Sequence, residues 1–103
     1  MADEGLKLEL ELEVKRIEVE IKEKEIELFD NATESIICKE RIEEKVPEEE
    51  IKDYLSGNSS NNVFLTSNIR RMGALTFKNL VLEDEKFGLE SIKEDLIKQI
   101  EEL

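Results

Sequence analysis

The sequence predicts an α+β fold: an antiparallel sheet from the N-terminal half, with strands near 6–21, 25–29 and 35–42, covered by helices near 47–56, 67–80 and 89–103. Three observations predict it. Residues 6–14 read L-K-L-E-L-E-L-E-V, apolar at every even position and charged at every odd one, which is the period of a half-buried strand. Pro47 and Gly57 bracket a tract that opens on three glutamates, Glu48, Glu49 and Glu50, the punctuation of a short helix. Leu89, Ile92, Leu96, Ile100 and Leu103 recur at steps of 3, 4, 4 and 3, the apolar stripe of an amphipathic helix.

Leu, Lys and Glu each favour helix, but a helical reading of residues 6–14 would scatter the leucines around the circumference and expose several of them, so the alternation outranks propensity. After Val14 the alternation slips at Lys15-Arg16 and resumes at Ile17, Val19 and Ile21. A β-bulge there would keep both halves on one face. Run as one strand, residues 6–28 would span about 75 Å, against a radius of gyration of about 13 Å for a domain of this size. Turns are therefore placed at 22–25 and at Asp30-Asn31. Ile36, Cys38 and Ile42 share a parity that predicts a third strand, with Cys38 as a small core residue.

Residues 57–62 (G-N-S-S-N-N) form the one loop-like tract. Beyond it Leu65, Ile69, Met72 and Thr76 lie at helical spacing, with Asn62 or Ser67 available as a cap. Gly88 then breaks the chain before the last helix. With 103 residues, one core and one domain, 1–103, are expected.

Charge bounds the function. The net charge is −12 and the chain has no histidine, which argues against nucleic-acid backbones and anionic membranes as partners and removes the commonest general base and metal ligand. The glycines lack either phosphate-binding spacing. The single cysteine, Cys38, cannot close an internal disulfide, and no apolar run reaches the length of a membrane span, so a cytoplasmic protein is expected. Neither a catalytic residue nor a cofactor or metal site is expected.

Residues 54–82 invert the balance: they hold Arg70, Arg71 and Lys78 and no acid at all, whereas residues 1–53 hold 19 acids and 9 bases. The reading is a non-enzymatic, small acidic protein-binding or adaptor protein, oligomeric, whose partner is a protein with a basic surface. The alternative is an acidic inhibitor or nucleic-acid mimic that occupies the basic groove of a nucleic-acid enzyme. Candidate partner-binding residues are Arg70, Arg71 and Lys78, which suit carboxylates, and Glu9, Glu11 and Glu13, which on a strand would form one anionic ladder. Leu89, Ile92, Leu96, Ile100 and Leu103 form the candidate association face, for docking on the sheet or on a second copy.

Overall fold

The computed structural model describes residues 2–103, with side chains from Asp3 onward. Its described residues form three α-helices and no strand: α1 (Ala2–Lys45), α2 (Glu48–Leu55) and α3 (Val63–Glu101). The α+β expectation is overturned; the chain is all-α. The strands placed near 6–21, 25–29 and 35–42, the bulge at Lys15-Arg16 and the turns at 22–25 and 30–31 all fall inside α1. The helices expected near 67–80 and 89–103 belong to one helix, α3, which runs through Gly88 instead of breaking there.

Geometry explains the error. Each step of two residues turns a helical side chain by about 200°, so a strict alternation sorts into two stripes on opposite sides of a helix. Leu10 and Val14 turn inward, whereas Leu8 and Leu12 turn outward and stand 57% and 61% exposed. The chain tolerates that exposure because Leu, Glu and Lys all favour helix over the length of the segment. The inward positions of α1 are 10, 14, 17, 21, 24 and 28, a heptad seam of alternating four- and three-residue steps. Both slips in the alternation coincide with three-residue steps, 14 to 17 and 21 to 24.

Two compact units divide the chain: Met1–Leu28 with Val81–Leu103, and Phe29–Leu80. In the first unit Val14, Ile17, Ile21 and Leu82 are buried, and Leu10, Leu28, Leu89, Leu96 and Ile100 are half-buried. Ion pairs tie its two segments together: Lys24 with Glu85 at 2.5 Å, Glu25 with Lys86 at 3.5 Å and Glu18 with Lys93 at 3.6 Å. Partners descend in α1 as they rise in α3, so the segments are antiparallel. Lys24, Lys86 and Lys93 occupy seam positions, burying their methylene stems while their ammonium groups reach glutamates at the margin.

In the second unit Cys38, Ile42, Val46, Leu65 and Leu75 are buried. Ile42, Val46 and Leu65 form a cluster against which Ile51 and Tyr54 of α2 and Phe64, Ile69 and Met72 of α3 pack. The α3 seam continues here through 65, 68, 72, 75 and 79. Asn31 donates from Nδ2 to Asn79 Oδ1 at 3.0 Å, a polar layer of the kind that fixes register in heptad-paired helices at a cost in stability. Pro47 precedes α2, and its carbonyl accepts from the N–H groups of Glu50 and Ile51. Gly57 follows the helix with φ of 103°, the left-handed conformation glycine adopts without steric cost. Asn62 caps α3, its Oδ1 accepting from the Leu65 N–H at 3.0 Å.

Candidate interaction surface

Two positions before each inward residue lies an outward one. In the first unit these are Leu8, Leu12, Val19 and Ile26 of α1, exposed by 57, 61, 57 and 62%, with Lys15 and Lys22 at the intervening positions. They repeat the heptad spacing about 200° away from the seam, so the segment carries a second apolar stripe on its outer side. Lys15 and Lys22 bend to Glu18 and Glu25 at 3.9 and 3.3 Å. Glu11, Glu18 and Glu25 border the stripe on one side, and Glu9, Arg16 and Glu23 on the other. Arg16 is held by Glu13 and Glu20. Its hydrogen bond keeps the Glu13 carboxyl below the ordinary range, while Glu13 and Glu20 hold the guanidinium above its own.

In the second unit the outward positions of α3 are 63, 66, 70, 73, 77 and 80. Val63, Phe77 and Leu80 stand 76, 67 and 60% exposed, Arg70 lies among them, and Lys78 flanks them, both exposed. Arg71 turns toward α1 and donates from Nε to Glu34 at 2.8 Å. That bond holds the Glu34 carboxyl below its ordinary range and raises the pKa of Arg71; the charges of Arg71, Lys78 and Arg41 add to the lowering. Phe29 and Ile36 continue the outward heptad positions of α1 within this unit, 71 and 58% exposed.

The second unit also has a cleft of about 810 Å³ where α2 leans over the ends of α1 and α3. Ile42, Val46, Ile51, Leu55, Ile69 and Met72 line it, and Lys39 with Glu43 and Lys52 with Glu48 form ion pairs at its rim, 3.9 and 3.1 Å long. Cys38 is a free thiol, buried. Among the described residues no group of three or more His, Cys, Asp and Glu side chains is placed to hold a metal ion.

The helix redistributes the residues singled out from sequence. Glu9 and Glu13 lie one turn apart, but Glu11 turns about 200° from each, so the continuous ladder of Glu9, Glu11 and Glu13 does not form. Its premise was the strand. Of Arg70, Arg71 and Lys78, Arg71 is engaged with Glu34, and Arg70 and Lys78 remain at the surface. Leu89, Leu96 and Ile100 lie on the inner seam, whereas Ile92 and Leu103 stand 50 and 47% exposed. The outer stripes were missed. The signal was present in residues 8, 12, 19 and 26, which keep a heptad spacing of their own.

The fold and surface define a class: heptad-paired antiparallel helices that carry unpaired apolar stripes. No protein-family model, no curated protein and no solved structure matches the chain.

Proposed function

We propose that this chain is a non-enzymatic protein-binding module, an adaptor that offers the outer stripe of α1 in its first unit to an amphipathic helix of a partner. One observation carries the reading: among the described residues, seventeen large apolar side chains are exposed and nine apolar residues are buried, and Leu8, Leu12, Val19 and Ile26 of α1 fall at heptad positions opposite a seam already filled. Scattered surface leucines are ordinary, but apolar side chains repeated at heptad positions along one side of a helix mark an interaction site. The glutamates that border it define the partner's chemistry. A second α1 stripe laid antiparallel would set Glu11, Glu18 and Glu25 against the same residues of its copy, whereas a helix with Lys or Arg beside its apolar residues would be attracted.

Among the described residues no helix is long and apolar enough to cross a membrane, and a reducing, cytoplasmic setting fits the free Cys38. The test is affinity capture from native lysate, at low and high salt, with the natural chain and with Leu12→Glu/Ile26→Glu. Both residues are more than half exposed, so the variant keeps its fold, verified by circular dichroism. Proteins held by the natural chain and lost from the variant support the reading. Identical captured sets contradict it.

A further inference from the structure

The basic helix that the α1 stripe calls for exists in this chain. Resting on the binding role proposed above, we infer that the partner is a second copy, whose α3 outer face in the second unit, centred on Arg70, Phe77 and Leu80, docks on the α1 outer stripe of the first unit. Three features of the two faces fit. On the α3 face Arg70 and Lys78 are exposed and no acid lies between 63 and 80, Arg71 being engaged with Glu34, whereas the α1 stripe is bordered by Glu9, Glu11, Glu18, Glu23 and Glu25 against the single Arg16, with Lys15 and Lys22 within it. Opposite potentials of this kind orient a helix pair and disfavour antiparallel homotypic pairs, in which Glu11, Glu18 and Glu25 would abut their copies or Arg70 and Lys78 would abut theirs. The lengths agree as well: 8 to 26 and 63 to 80 each run about 26 Å along a helix. Finally, both faces keep heptad spacing: Leu8, Leu12, Val19 and Ile26 are exposed on one, and on the other Val63, Phe77 and Leu80 are exposed at the two ends with Thr66, Arg70 and Gly73 between them, so apolar side chains can meet while Arg70 lies within reach of the bordering glutamates.

Such a contact is heterologous in that each copy contributes a different face to it. This gives the acid-free segment a role, since burial within its own fold accounts for Leu65 and Leu75 but not for Phe77, Leu80 or Arg70.

The test uses full-length chains in light scattering and sedimentation. The natural chain should show a mass above that of the monomer, rising with concentration and falling with salt. Two variants each remove one face: Leu12→Glu/Ile26→Glu on α1, and Arg70→Glu/Phe77→Glu on α3. Each alone should be monomeric or associate at least tenfold more weakly. Mixed, they should form a dimer and nothing larger, because one intact α1 stripe and one intact α3 face remain between them. If the α3 variant does not fold, Arg70→Glu/Lys78→Glu replaces it, changing only exposed charges.

Failure of the mixture to associate, or undiminished association of either variant alone, overturns the inference. A monomeric natural chain also overturns it. In that case, a difference between the natural chain and the α1 variant in lysate capture shows that the stripe serves another protein, whereas its absence removes both readings.

Discussion

Ile17 and Val19 share a parity in the sequence and would share a face on a strand, yet in α1 Ile17 is 2% exposed and Val19 57%. Truncating each to alanine therefore separates helix from strand with two variants. Ile17→Ala removes three carbons from a nearly closed seam. At about 0.8 kcal/mol for each buried methylene the transfer loss is about 2.4 kcal/mol, and the unfilled space raises the total to roughly 2.5–4 kcal/mol. Val19→Ala removes contacts that are mostly with water, and alanine is the better helix former, so the net change should stay within about 0.5 kcal/mol of zero. Urea unfolding followed by circular dichroism, at concentrations low enough to hold the chain monomeric, reads both as shifts in midpoint at constant slope. Equal losses at the two positions would refute the heptad assignment.

Glycine and cap positions give further checks by the same unfolding assay. Gly88→Ala should stabilise by about 0.8–1 kcal/mol, since an added Cβ meets nothing within 4 Å in mid-helix, whereas Gly57→Ala should destabilise by about 1 kcal/mol because of its φ of 103°. Asn62→Ala should cost about 1 kcal/mol by leaving the Leu65 N–H uncapped. For Glu34 and Arg71, the guanidinium depresses the carboxyl pKa in the folded state, so their mutual stabilisation is present above the unfolded-state pKa and lost as pH falls through the depressed one. A double-mutant cycle with Glu34→Gln and Arg71→Gln should show coupling at neutral pH and none once Glu34 is protonated; coupling that persists in acid would contradict the pairing.

What the sequence discloses about the fold depends on where its polar residues sit. Pro47, Gly57 and the Asn62 cap punctuate the chain as expected, because backbone restrictions act locally and need no tertiary context. Cys38 is buried, as its residue type favours. The steps of 3, 4, 4 and 3 from Leu89 to Leu103 point to a helix, and Leu89, Leu96 and Ile100 lie on its inner seam, although Ile92 and Leu103 of the same stripe stand exposed and Lys86 and Lys93 share that seam. α1 was misread because Lys24, Asn31 and Ser35 occupy inward positions, while Leu8, Leu12, Val19 and Ile26 occupy outward ones. An apolar pattern on two opposite sides of a helix imitates the period of a strand wherever the seam steps by four. Gly88 was misread for a related reason, since its cost of about 1 kcal/mol is spread over a 39-residue helix that the neighbouring seam holds together.

The proposed interaction surface was only partly marked in the sequence. The acid-free segment with Arg70, Arg71 and Lys78 stood out by charge alone, but sequence could not say that Arg71 is spent on Glu34 while Arg70 lies with Phe77 and Leu80 on the outer face. That sorting depends on where the seam runs, which is a tertiary fact.

The most direct measurement is a distance between nitroxide labels on Glu9 and Glu23, both exposed, in a Cys38→Ala background, read by pulsed electron paramagnetic resonance. Fourteen residues of helix separate their Cα atoms by about 21 Å, and fourteen residues of strand by about 46 Å. A single narrow distribution near the shorter distance is the expected result. A distribution centred near the longer one would contradict α1, and with it both outer stripes and the association built on them.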